Sequence, residues 1–151
     1  MSRSTIIALA VSAVALFGAA AAQQKPAGPL VEVFKSPTCG CCMNWVEHLR
    51  TNGFNVRTTD VNDMTEIKKS RGVPADVQSC HTAVVNGYVV EGHVPAADVH
   101  RLLKEKPAVA GIAVGGMPVG SPGMESPHVK AERFDVVSFD KSGATRVFAK
   151  H

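Results

Sequence analysis

The sequence has no strong excess of charge of one sign. Its 16 basic and 13 acidic side chains leave a formal net charge of +3, spread along 151 residues. That is too weak for the basic stripe a nucleic-acid partner requires, so no nucleic-acid binding is expected. No phosphate-cradling loop is present either. Gly115-Gly116 lacks the Gly-x-Gly-x-x-Gly pattern behind a strand, which excludes a dinucleotide fingerprint. A Ser-His-Asp set and a paired-carboxylate site are missing, as are internal repeats. Beyond the first residues there is no apolar run long enough to span a bilayer. What remains is a chain that is 45% apolar and 19% charged, suited to one globular domain of ordinary size.

The N-terminus reads as a cleavable secretory signal over 1–22. Arg3 supplies the positive n-region, and Ile6 to Ala15 is apolar except for Ser12. Ala20 and Ala22 offer small residues at the cleavage positions before Gln23. The expected localisation is periplasmic, with no membrane span after cleavage. A polar, Pro- and Gly-containing lead-in follows over 23–29.

All four cysteines fall after the signal: Cys39, Cys41, Cys42 and Cys80. In an exported protein an even number first points to disulfides. A bridge between any two of the first three, however, closes only a tiny loop and removes little unfolded-chain entropy. Reactivity or metal binding explains the cluster better than stabilisation does.

The surrounding pattern supplies a frame. Leu30 to Phe34 reads as a strand with Val31 and Val33 β-branched. Ser36-Pro37-Thr38 breaks it, and Ser36 or Thr38 is expected to cap a helix over 41–51 with Cys42, Trp45, Val46 and Leu49 inward. Asn52-Gly53 ends that helix. A strand over 54–61 and a short helix over 63–70, with Met64 and Ile67 inward, come next. Lys68, Lys69 and Arg71 read as its solvated end. Thr82 to Val85, Asn86-Gly87 and Tyr88 to Val90 read as a hairpin. Pro95 opens a helix at its first position, with Val99, Leu102 and Leu103 on one face, ending before Pro107. The stretch 108–127 is Gly- and Pro-rich and reads as a loop without regular structure. A closing hairpin over 134–148 turns at Asp140 to Gly143.

The order β-α-β-α-β-β-α, with cysteines at the turn from the first strand into the first helix, predicts an α/β, thioredoxin-like single domain over 30–107. Residues 108–151 are expected to pack on it as a Gly/Pro/Met loop and a β-hairpin.

Cys39 and Cys42 have Cys-x-x-Cys spacing, and a helix N-terminus stabilises a thiolate. As a redox pair, Cys39 would attack and Cys42 resolve. Cys41 is surplus to that chemistry. Three crowded thiolates suit more than one metal ion with bridging sulfur; soft thiolates select Cu(I) or Zn, and Cu(I) is the softer. Cys80-His81 precedes the hairpin strand, where it can bring a fourth sulfur and an imidazole to the same turn. The alternatives are a buried free thiol or a bridge to Cys41 for Cys80, and a surface or capping role for His81. His93 either reaches the metal or caps the following helix. Met117 and Met124 either supply thioether ligands or plug a hydrophobic gap. Trp45 is expected in the core behind the cysteine turn. His48 and His100 are expected to be solvated, with His128 and His151 in or near the tail.

Three segments carry a resemblance to a known family: SPTCGCC (36–42), VPADVQSCHTAVVNGYVVEGHVPAADVHRLL (73–103) and GMPVGSPGME (116–125). The chain resembles the CopG-like copper-resistance proteins, once classed as a domain of unknown function. The resemblance implies a periplasmic, thioredoxin-like domain that binds copper through its cysteines and is linked to redox chemistry on copper. It implies Cys39, Cys41, Cys42, Cys80, His81 and His93 as metal-site residues, with Met117 and Met124 on its Met-bearing loop. The family commonly has a proline where this chain has Gly116, which loosens that loop, and 127–151 lies outside the resemblance. The expected function is copper binding in copper resistance, as a multinuclear Cu(I)–thiolate cluster, with a second periplasmic copper protein as a partner. The rival is a metal-free thiol–disulfide oxidoreductase using Cys39 and Cys42.

Overall fold

Alternation of buried and exposed side chains builds the first strand, β1 (Leu30–Lys35), which buries Val31 and Val33. The computed structural model describes residues 28–151; the expected signal and the lead-in as far as residue 27 lie outside the described residues. Helix α1 (Gly40–Thr51) follows and buries Cys42, Trp45, Val46 and Leu49, the spacing of one helical face. Strand β2 (Asn55–Asp60) returns parallel to β1. It buries only Val56 and carries Arg57 and Asp60, a charged edge that discourages further pairing.

Helix α2 (Met64–Ser70) is capped by the Asp63 carboxylate, which accepts from the Thr65 N–H at 2.8 Å. Its buried residue is Lys68, while Met64 and Ile67 are only half-buried. The sequence expectation of a solvated Lys68 is therefore corrected: an acidic partner inside the fold draws it inward. A single 3-10 turn at Ala75–Val77 leads to β3 (His81–Val85), which forms an antiparallel hairpin with β4 (Tyr88–Glu91) through Asn86-Gly87. Helix α3 (Ala96–Glu105) buries Val99 and Leu102 and stops at Lys106, which is left-handed, before Pro107. Pro95, predicted as the first helical residue, is instead the N-cap, so the helix starts one position later, at Ala96.

The stretch read as an irregular loop contains a strand, β5 (Gly111–Ala113), parallel to β4 and antiparallel to β6 (Asp135–Phe139). Three wholly buried residues are too few to display a period, and tertiary pairing makes this strand. β7 (Thr145–Lys150) completes the closing hairpin. The result is a mixed α/β fold around one seven-stranded sheet, ordered β2-β1-β3-β4-β5-β6-β7. The main core joins the inward residues of α1 and α3 to Val31, Val33, Ala83, Val85, Val90 and Ile112. A second cluster of Val73, Val77, Val89, Ala113 and Phe139 uses the alternate positions of β4 and β5, on the opposite face. Among the described residues, no helix is long and apolar enough to cross a membrane.

Candidate metal centre

Helix α1 begins where the chain turns sharply out of β1. The Cys39 N–H donates to the Ser36 carbonyl at 3.1 Å, closing that turn. Ser36 and Thr38, the expected caps, instead share a hydroxyl–hydroxyl contact of 3.4 Å. The cap is Cys39 itself, whose Sγ accepts from the Cys42 N–H at 3.3 Å. Because the helix starts at Gly40, neither Ser36 nor Thr38 stands at the boundary.

Cys39 and Cys42 form a disulfide, and Cys41 and Cys80 are free thiols. A Cys41–Cys80 bridge, one of the sequence alternatives, is thus replaced by the Cys-x-x-Cys pairing. Each free thiol lies against one bridged sulfur. Cys41 Sγ is 3.5 Å from Cys39 Sγ, and Cys80 Sγ is 3.5 Å from Cys42 Sγ. All four sulfurs lie within 4.8 Å of one another. Cys42 is fully buried, whereas Cys41 is half-buried.

Cys80 joins this cluster to a second one. The pairing of Lys35 with His81 at the end of the β1–β3 ladder brings the segment before β3 opposite the cysteine turn. Cys80 Sγ lies 3.3 Å from His81 Nδ1 and 3.1 Å from His93 Nε2. The three donor atoms form a Cys/His/His group sharing Cys80 with the sulfur cluster. His93 Nδ1 lies 2.8 Å from the Pro122 carbonyl, which only an N–H can satisfy, so Nε2 presents its lone pair to Cys80. His93 therefore faces the cysteines and does not cap α3. His81 is buried beside the Trp45 ring, with centroids 4.3 Å apart. Among the described residues, His81 Nε2 is the one buried side-chain nitrogen or oxygen without a hydrogen-bond partner.

The local electrostatics keep these donors uncharged at rest. Burial pushes the His81 pKa well below the imidazole range, with His93 and Lys68 reinforcing it. Burial likewise lowers His93, against an opposing pull from the Pro122 carbonyl and Glu125. Burial, then the neighbouring Cys41, pushes the Cys80 thiol up to about 12. Neutral imidazoles keep a lone pair free to ligate, and burial disfavours the Cys80 thiolate, which a cation beside it would favour.

The Met-bearing loop brackets the site. Gly123, at φ +85°, lets the loop touch the start of α1: a β-carbon there would lie 2.7 Å from the Trp45 nitrogen and 3.0 Å from the Cys41 carbonyl. Met124 follows directly and is half-buried. Met117 is exposed, next to Gly116, whose carbonyl accepts the Ser79 hydroxyl proton. Trp45 is buried as expected, and its indole N–H donates to the Val94 carbonyl at 2.8 Å.

Histidines outside the cluster have structural contacts. His48 is half-buried rather than fully solvated: its Nε2 accepts the Ala96 N–H at 3.0 Å, supplying the cap acceptor that the Pro95 ring cannot. His100 is exposed and stacks on Phe54. His128 is exposed in the tail. His151 pairs with Asp98 at 2.7 Å. Sequence reasoning missed the buried polar group behind Cys80, formed by Lys68, Glu91, Thr82 and Ser79. Its one visible signal is Glu91 ending an otherwise apolar strand.

Fold and site together define a class: a small α/β protein whose first helix opens onto clustered sulfur and imidazole donors that could hold a metal. A family profile described as "Protein of unknown function, DUF411" matches residues 77–124. No curated protein matches the sequence. Two solved structures do, described as "Copper resistance protein copG- Form 2" and "Form 1". Each is 44% identical to this chain. The first aligns with a TM-score of 0.78 over 82% of this chain and 98% of the other. The second aligns with a TM-score of 0.76 over 81% and 96%. The chain belongs to the CopG copper resistance protein family.

Proposed function

We propose that this is an exported copper-resistance protein that takes Cu(I) as its cargo in a thiolate cluster built by Cys39, Cys41, Cys42 and Cys80, with His81 and His93 as nitrogen donors. The observation that carries this is the convergence of four sulfurs within 4.8 Å, one of them also held between two imidazoles. Soft thiolates select a soft monovalent ion, and sulfur atoms this close suit bridging between several ions. Two electrons and two protons from an external dithiol, itself oxidised to a disulfide, open the Cys39–Cys42 bridge and make all four cysteines available, and the neutral imidazoles need lose no proton. Met117 and Met124 sit on the loop that borders the cluster and add thioether donors from it. The sheet order β2-β1-β3-β4, with a parallel β1-α1-β2 unit and an antiparallel hairpin, supports a thioredoxin-like core over 30–107, whose sheet 108–151 extends through β5, β6 and β7.

Anaerobic titration of the reduced protein (residues 23–151) with Cu(I) tests the reading. More than one Cu(I) per chain is expected; a stoichiometry of zero overturns it.

A second reading has its own observation: the Cys39–Cys42 disulfide stands at a helix N-terminus with Cys39 partly exposed. This is the geometry of a thiol–disulfide oxidoreductase. The variant Cys41→Ser separates the two. Copper binding predicts a loss of Cu(I) capacity with disulfide reduction of insulin little changed. The opposite result favours the oxidoreductase.

A further inference from the structure

A buried ion pair stands directly behind the Cys80–His81–His93 donors, and nothing in the copper chemistry uses it. Glu91 is fully buried and Lys68 nearly so, with Lys68 Nζ 2.5 Å from Glu91 Oε1. The same Oε1 accepts the Ser79 N–H at 2.8 Å, and Oε2 accepts the Thr82 hydroxyl at 2.7 Å. Lys68 Nζ also donates to Thr82 Oγ1 at 3.2 Å, closing a ring. Glu91 and Thr82 face each other across the β3–β4 ladder.

The placement of these contacts is informative. Ser79 and Thr82 flank Cys80-His81 in the chain, so one carboxylate grips the donor pair from both ends. The chain then runs from Glu91 through Gly92 into His93. Gly92, at φ +69°, has no room for a side chain: a β-carbon would lie 2.5 Å from Ser79 Cβ. Its N–H donates to the His81 carbonyl at 3.0 Å. The two donor segments, 79–82 and 91–93, are thus locked together around Glu91. A buried ion pair is a poor device for stability, because apolar residues of similar volume serve as well or better. It is a good device for fixing geometry, and outer partners that orient ligands govern metal affinity.

We infer that Glu91, charge-balanced by Lys68, is the positioning residue that holds Cys80, His81 and His93 as one preformed donor group. The inference rests on the copper-binding reading for its functional meaning, but it has a test of its own. Replacing Cys41 by Ser leaves Cys80 the sole free thiol while the Cys39–Cys42 bridge is intact. In that background Glu91→Gln is expected to raise the rate of Cys80 modification by an aromatic disulfide reagent about tenfold or more, as the segment opens locally. In the chain with all four cysteines, reduced, Glu91→Gln is expected to lower Cu(I) affinity about 10- to 100-fold, read by competition with a chromophoric chelator. If Glu91→Gln fails to fold, Lys68→Met/Glu91→Gln, which leaves no unpaired charge, carries the same two measurements. A folded variant with both quantities within about twofold of its parent overturns the inference, because a merely structural pair would change the unfolding midpoint alone. If the parent protein binds no Cu(I), the functional reading fails separately. The thiol rate then decides the positioning role, for if it rises and against if it does not.

Discussion

Two buried polar groups occupy neighbouring positions of β3 and are treated in opposite ways. On the Thr82 side, the Glu91 carboxylate receives Lys68, Ser79 and Thr82, and both its oxygens are satisfied. On the His81 side, Nε2 has no partner among the described residues, and Cys80 is a thiol held far from ionisation beside two neutral imidazoles. A buried polar atom left unpaired costs about 1–3 kcal/mol, so it persists where something other than stability requires it. The contrast teaches that one group is satisfied wholly within the chain, whereas the other keeps a buried imidazole nitrogen unpaired beside a cluster that could hold a metal.

The comparison breaks most dramatically if one half of the closed group is removed. Glu91→Ala strands Lys68 without its counter-charge and is expected to cost about 3–5 kcal/mol in chemical denaturation. Lys68→Met/Glu91→Leu removes both charges and is expected to be neutral or stabilising. A large loss in the double variant would mean that the pair is a stability element after all.

The open side is expected to respond in the reverse sense. Cys80→Ser should leave the unfolding free energy within about 1 kcal/mol, since only one partly exposed thiol is altered. Its Cu(I) affinity should nonetheless fall by about 100-fold or more, beyond the loss produced by disturbing a supporting residue. Chelator competition beside urea denaturation reads both quantities, and an unchanged affinity would remove Cys80 from the site.

The smallest effect sharpens the contrast from outside both groups. His48 accepts the first N–H of α3, and burial lowers its pKa against an opposing pull from Glu125. The folded state therefore holds fewer protons on His48 than the unfolded chain does. Its contribution is full above about pH 6.5, the unfolded value, and fades as pH falls from there through the lowered folded value. His48→Ala should cost about 1 kcal/mol at pH 7.5, comparable to losing a cap, and less at pH 5. Unfolding midpoints at the two pH values check this; an equal or larger loss at the lower pH would contradict it.

The legibility of the molecule followed the length of its patterns. The helical face Cys42, Trp45, Val46 and Leu49, the strand alternation at Val31 and Val33, and the Asn86-Gly87 turn were readable because each is a local rule repeated or chemically marked. β5 was not, because Gly111–Ala113 exists only through neighbours on both sides. Lys68 was misread because a lysine near a helix end is usually solvated, and its partner Glu91 lies on a different element. In the candidate centre, the cysteines, His81 and His93 were visible as chemistry-bearing residues. Their convergence on the cysteine turn was expected, but the finer contacts were not: Cys39 acts as the helix cap although cysteine is not a usual capping residue, and the Pro122 carbonyl that sets the His93 tautomer and the unpaired His81 nitrogen depend on distant segments.

The most direct test of the central claim is copper-edge X-ray absorption on the protein loaded anaerobically with Cu(I). The account predicts a coordination shell dominated by sulfur with a nitrogen component, copper–copper scattering from sulfur-bridged ions, and loss of sulfur neighbours in Cys80→Ser. A shell of nitrogen and oxygen alone, or a spectrum unaltered by Cys80→Ser, would contradict it.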